Sequence, residues 1–201
     1  MGWANRITIC RGGMTLGVWV LLALAESGSE ALWTLAFWLF VLTAVSDALD
    51  GFVARRLKEE SVFGRIADPM VDKLLVLGTM VFLLGMTGVP AVMPAWTVAV
   101  MLAREFLVTA IRGAAEGRGI NFQAVMWGKW KMVLQCVAVG AVICHRAGVG
   151  WTRAEIPLLT FLPGDSGTWS FAHASVWAAT LVTGASGIAY AQRAFQVFRA
   201  P

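Results

Sequence analysis

Charge is scarce in this 201-residue chain: Asp, Glu, Lys and Arg make up 14% of it, against 58% hydrophobic residues. Soluble domains carry about a quarter charged residues, so a water-coated globule is excluded. Cysteine is nearly absent. Cys10, Cys136 and Cys144 lie in or beside apolar segments without metal-ligand spacing, which excludes a disulfide framework and leaves them as small buried hydrophobes. There are two histidines, His145 and His173, flanking one loop at expected interfacial positions. No Ser/Cys/His triad and no Walker-type glycine loop occurs, so neither a covalent intermediate on such a nucleophile nor a P-loop site is indicated. Internal repeats and low-complexity segments are missing as well.

What the chain does have is long apolar runs. A bilayer-spanning helix needs about 20 mostly apolar residues. Six stretches are expected to span, at about 12–25 (extending toward residue 5), 31–55, 64–86, 94–115, 122–145 and 168–190, as one all-α integral membrane domain over residues 1–201. Of the sixteen Lys and Arg, only Arg146 and Arg153 fall in the turns after spans one, three and five. The positive-inside rule then puts both termini and the other turns in the cytoplasm. The net charge of +4 reads as attraction to anionic headgroups. No surface of mixed aromatic and basic residues suits nucleic acid. Tryptophans such as Trp3, Trp33, Trp96, Trp151 and Trp169 fall near span ends, as an interfacial belt would. Arg6, Arg11 and the Ala23-Leu24-Ala25 stretch imitate a cleaved signal peptide. In a polytopic chain this segment is expected to stay as the first span.

Four aspartates break the apolar pattern: Asp47, Asp50, Asp68 and Asp72. A charged Asp in a spanning helix costs about 2.5–3.5 kcal/mol on insertion scales. At about 100° per residue, Asp47, Asp50, Gly51, Ala54 and Arg55 share one face, and the residues between them are apolar. Gly64, Asp68 and Asp72 stack on one face of the next helix. A short loop joins the two helices, so two carboxylates from each are expected to converge near the cytoplasmic surface. Such a cluster suits hard cations, Mg²⁺, Mn²⁺ or Ca²⁺, and the lack of Cys and His argues against zinc. A carboxylate–metal site of this kind suits phosphoryl chemistry. Gly51, Ala54 and Gly64 leave room for a nucleotide or diphosphate, and Arg55 can pair with phosphate. The competing readings are structural ion pairs with Arg55, Arg65 and Lys73, or an ion pathway of a cation transporter.

The pattern Asp47-x2-Asp50-Gly51-x2-Ala54-Arg55-x8-Gly64-x3-Asp68-x3-Asp72 resembles the signature of the CDP-alcohol phosphatidyltransferase family at every fixed position. The resemblance implies a two-metal site on the four aspartates, with Asp72 as general base. It also implies a CDP-binding set of Thr8, Gly51, Ala54, Arg55 and Gly64. CDP-diacylglycerol would be the donor, and the enzyme a homodimer in the inner, cytoplasmic membrane with its site facing the cytoplasm.

Further stretches resemble the branch of the family whose acceptor is glycerol 3-phosphate. These are Asn5-x2-Thr8-x2-Arg11, Ala103-Arg104-Glu105 with Arg112, and Gly128-Lys129-Trp130-Lys131 with Gln135. Ile7 and Met132 depart from that pattern, where Leu and Thr are expected. Arg104, Arg112, Lys129 and Lys131 lie toward the cytoplasmic ends of spans four and five. They are the expected acceptor-phosphate cations, with snorkelling headgroup anchors as the alternative role. Glu105 is expected to partner Arg104. Other acceptors on the same scaffold are inositol phosphate, serine or a second phospholipid.

Overall fold

In a computed structural model the described residues are 3–57, 67, 70–118, 127–150 and 170–199, with side chains described for all of these except 3–7, 47–57, 127–129 and 199. Every regular element among them is helical. Helix α1 covers Trp3–Ala25 and α2 covers Glu30–Leu57. Residues 70–73 are α-helical and run into a π-helical stretch, Leu74–Gly78, then α3, Thr79–Leu84. A single turn, α4 (Val89–Val92), precedes α5 (Ala95–Glu116). Helix α6 covers Trp127–Arg146 and α7 covers Phe171–Arg199.

The first two helices form an antiparallel hairpin because each carries a 3–4 spaced inner stripe. On α1 the buried positions are Thr8, Arg11, Thr15, Val18, Leu22 and Ala25; on α2 they are Trp33, Ala36, Phe40 and Thr43. This is the seam of two long helices packed side by side. The α1 stripe is polar in its first half and apolar in its second. Along α2 the same spacing continues to positions 47, 50 and 54. Both polar halves lie some 17 residues from the connecting turn, roughly 25 Å away at 1.5 Å per residue. The sequence therefore sets a polar end and an apolar end before any other helix is added.

The remaining helices close around that hairpin. The π-helical stretch touches α1, α2, α5 and α6, and α7 packs on α5 and α6. Trp19 of α1 fixes the stretch in place. Its indole Nε1 donates to Thr79 Oγ1 at 3.0 Å, its ring stacks on Phe82 at 6.1 Å between centroids, and its benzo edge abuts Gly78. A Cβ on Gly78 would meet Trp19 Cζ2 at 2.5 Å, so only glycine fits there. The main apolar core fills the end away from the polar stripes, with Leu22, Phe40, Met80, Leu83, Met93 and Ile143 fully enclosed.

Outward faces are apolar instead of polar. Ile9, Leu16, Val20 and Leu24 line the outside of α1, Leu35, Trp38, Leu42 and Val45 the outside of α2, and Leu181, Ile188 and Phe195 the outside of α7. Arg11, Arg104, Lys131 and Gln135 are buried. Thr8–Ala25 is, among the described residues, the one stretch long and apolar enough to cross a membrane by length and composition; Glu30–Ser46 is apolar but shorter. The expected spans four to six form helices, but their inward polar residues dilute their hydropathy.

Two boundaries and the burial of two side chains differ from expectation. The last helix does not end near Tyr190 in a basic tail; it continues to Arg199, because Ala194, Val197 and Phe198 pack against Val108, Ile111 and Ala115 of α5. The turn expected around Gly88 and Pro90 contains the short helix α4. Trp33 is buried beneath Arg146, whose guanidinium sits 5.5 Å from the ring centroid, and so is no part of an exposed belt. His173 is buried too, with Nδ1 bonded to Ser170 Oγ at 2.9 Å and its ring edge-on to His145 at 6.1 Å.

Candidate active site

Helix phase brings the described candidate residues to the polar end of the bundle. Asp72 lies two residues before the π-helical stretch, with Oδ1 shielded from solvent. Its neighbour Val71 is apposed to Gly12 of α1, where a Cβ would lie 3.9 Å from Val71 Cγ2. Thr8 and Arg11, both on the inner stripe of α1, are within a turn of that contact. Asp72 is also close enough to Lys131 of α6 to interact with it electrostatically. Lys73, the partner of the acids in the competing ion-pair reading, donates to Thr109 Oγ1 of α5 at 2.8 Å.

Of the expected metal and CDP ligands, Asp68 and Gly64 lie outside the described residues. Asp47, Asp50, Gly51, Ala54 and Arg55 belong to the helical backbone of α2, and their side chains are likewise outside the description. Among the described residues no group of three His, Cys, Asp or Glu gathers. The donor chemistry fits a hard cation nonetheless. Asp72 supplies a shielded carboxylate oxygen at the polar end, and the backbone of α2 carries Asp47 and Asp50 one turn apart.

The second half of the site is a set of cations held by α5, α6 and α7. Glu105 Oε1 accepts from Arg104 Nη1 at 2.7 Å and from Lys131 Nζ. All three side chains are largely enclosed, at 7%, 13% and 9% exposure for Arg104, Glu105 and Lys131. Arg104 Nε also donates to Ser186 Oγ at 3.1 Å. Arg112, two turns further along α5, donates through Nε and Nη2 to the Tyr190 hydroxyl at 3.3 and 3.2 Å. Gln135 Nε2 reaches Thr183 Oγ1 at 3.2 Å. Lys129 is in α6, but its side chain lies outside the description.

The electrostatics favour an anion. Arg104 and Lys131 are two enclosed positive charges against the single carboxylate of Glu105, with half-buried Lys73 and exposed Arg112 adding charge beside them. Burying a charge without compensation costs several kcal/mol. An excess of enclosed positive charge is therefore tolerable when a dianion such as a phosphate monoester comes to meet it.

Glu105 as the partner of Arg104 was legible in sequence, and the structure adds Lys131 to that pair. Ser186, Gly187 and Tyr190 were not singled out. Their signal was there, as a stripe of small and polar residues on α7 at Thr183, Ser186, Gly187 and Tyr190, spaced three or four apart.

A family model described as CDP-alcohol phosphatidyltransferase matches residues 1–185. The chain is 32% identical over 161 residues to the CDP-diacylglycerol–glycerol-3-phosphate 3-phosphatidyltransferase of Bacillus subtilis, covering 80% of this chain and 74% of that one. It is 33% identical over 169 residues to a probable phosphatidylglycerophosphate synthase of Mycobacterium tuberculosis, covering 80% and 77%. Against a chloroplastic/mitochondrial CDP-diacylglycerol–glycerol-3-phosphate 3-phosphatidyltransferase of Arabidopsis thaliana it is 31% identical, and spans 49% of that longer protein.

Proposed function

The chain belongs to the CDP-alcohol phosphatidyltransferase family, and from that membership we propose that it transfers the phosphatidyl group of CDP-diacylglycerol to glycerol 3-phosphate, giving phosphatidylglycerophosphate and CMP. The observation that carries the acceptor is the enclosed Arg104–Glu105–Lys131 group with Arg112 beside it. A net-neutral acceptor such as serine, whose ammonium accompanies its carboxylate, leaves this positive excess in place. A phosphate monoester does, through charge-assisted hydrogen bonds about twice as strong as neutral ones.

The apolar outer faces and the polar interior support a protein solvated by lipid. In this reading the six helices cross the cytoplasmic membrane with both termini inside, and the polar end of the bundle faces the cytoplasm. Both substrates fit that end: the donor keeps its acyl chains in the bilayer, and the acceptor arrives from water.

The mechanism in this reading is direct displacement with Asp72 as general base, supported by its electrostatic contact with Lys131. Its carboxylate takes the proton from the primary hydroxyl of glycerol 3-phosphate. The oxygen attacks the phosphorus that carries diacylglycerol, and the bond from that phosphorus to CMP breaks. Asp47, Asp50, Asp68 and Asp72 would hold Mg²⁺ or Mn²⁺, which when bound neutralises the diphosphate and the departing CMP. Thr8, Gly51, Ala54, Arg55 and Gly64 would receive the CDP moiety, while Arg104, Arg112, Lys129 and Lys131 draw the acceptor in.

Purified protein should be given CDP-diacylglycerol, Mg²⁺ and a panel of alcohols, with CMP release as the readout. Release that depends on glycerol 3-phosphate and not on serine, inositol phosphate or glycerol is the expected result. Preference for any other acceptor, inositol phosphate included, would overturn the assignment.

A further inference from the structure

Nothing in the aspartate signature or in the cation motifs involves α7, yet α7 holds both candidate phosphate-binding arginines. Tyr190, the only tyrosine in the chain, is 4% exposed on that helix. Its hydroxyl accepts from Nε and Nη2 of Arg112, at 3.3 and 3.2 Å. The Cζ atoms of Arg112 and Arg104 lie 5.8 and 5.9 Å from its ring centroid. One turn earlier, Ser186 Oγ accepts from Arg104 Nε, and Ser186 donates to the Thr183 carbonyl at 2.8 Å. Gly187 completes the platform: a Cβ there would sit 2.9 Å from Arg104 Cγ, so glycine is what lets the arginine stem lie against α7.

Two guanidiniums on one aromatic ring repel each other, and the negative ring face offsets part of that repulsion. The chemistry of the holding group matters. A carboxylate in place of Tyr190 would pair with Arg112 and cancel its charge, whereas a neutral phenol orients the guanidinium and leaves its full charge for a ligand. Arg112 is exposed, so without this partner its long side chain would sample many rotamers and lose them on binding. Arg104, by contrast, already shares Glu105 with Lys131.

We infer that Tyr190 is a positioning residue for the acceptor, holding Arg112 and Arg104 side by side so that together they receive a phosphate monoester. The inference deepens the proposed reading by tying acceptor selectivity to α7. It extends the site to Ser186 and Gly187, which support Arg104 from the same helix.

The test uses the full chain in detergent, as wild type, Tyr190→Phe and Tyr190→Leu. Phe keeps the ring and loses the hydroxyl; Leu loses both. KM for glycerol 3-phosphate and for CDP-diacylglycerol, and kcat, are measured separately, alongside thermal stabilisation by inorganic phosphate and by glycerol 3-phosphate. Tyr190→Phe should raise the glycerol 3-phosphate KM roughly tenfold, as expected when a charge-bearing contact is disordered. The CDP-diacylglycerol KM should stay at its wild-type value, and half-maximal stabilisation by phosphate should need roughly tenfold more anion. Tyr190→Leu should shift these further. Unchanged acceptor KM and phosphate stabilisation in Tyr190→Phe, or equal rises in both KM values, would overturn the inference. If the wild type is stabilised by phosphate but does not transfer to glycerol 3-phosphate, the proposed reaction fails, and the stabilisation series alone decides the role of Tyr190.

Discussion

Replacing Glu105 with Gln isolates the charge that holds the cation group together. Its Oε1 accepts from both Arg104 and Lys131, and all three side chains are largely enclosed. Gln preserves shape and an acceptor oxygen but removes the anion, leaving two enclosed cations facing each other across a neutral amide. Breaking a buried ion pair costs about 3–5 kcal/mol. Because the amide oxygen still accepts a hydrogen bond, the lower end, about 3 kcal/mol, applies here. For a chain of this size that corresponds to a fall in Tm of roughly 6–12 °C. Differential scanning fluorimetry in detergent reads this directly. Saturating glycerol 3-phosphate should then raise the Tm of the variant by more than that of the wild type, because the ligand supplies the missing negative charge. A Tm equal to that of the wild type, or equal ligand-induced rises in the two proteins, would refute the charge accounting of this site.

Lys131→Ala should raise the glycerol 3-phosphate KM by ten- to a hundredfold, as loss of one charge-assisted bond implies, while the CDP-diacylglycerol KM moves little; steady-state kinetics with each substrate varied separately decides it. Asp72→Asn should abolish transfer and EDTA should silence the wild type until Mg²⁺ or Mn²⁺ is restored; full turnover in excess chelator would contradict a metal-dependent reaction. Gly78→Ala should cost about 1–3 kcal/mol by overpacking against Trp19, and Trp19→Leu in the same chain should recover part of the lost melting temperature. With Cys10 replaced, a cysteine at position 28 should react with an impermeant maleimide added outside intact cells, and one at position 117 only after the membrane is opened; the reverse pattern would invert the topology.

The inner stripes of α1 and α2 were legible because a repeat of three and four residues carries the packing of long helices, and the aspartates of α2 fall in that repeat. The cations were legible as residue types, since Arg104, Arg112 and Lys131 stand out in apolar helices. What holds them was less visible. Ser186, Gly187 and Tyr190 are unremarkable in composition, and their role appears once α7 lies against α5. The π-helical stretch beside Asp72 has no sequence mark beyond Gly78, because it arises from a tertiary contact with Trp19. The continuation of α7 to Arg199 was obscured by Gln192, Arg193 and Gln196, which face away from the apolar contacts at Ala194, Val197 and Phe198.

Transfer itself can be followed by labelling the primary hydroxyl of glycerol 3-phosphate with ¹⁸O and incubating it with purified protein, CDP-diacylglycerol and Mg²⁺. Mass spectrometry of the lipid should find phosphatidylglycerophosphate retaining the label in its new phosphodiester bridge, with one CMP released per lipid formed. Absence of that lipid, loss of the label from it, or CMP release without it would contradict phosphatidyl transfer to glycerol 3-phosphate.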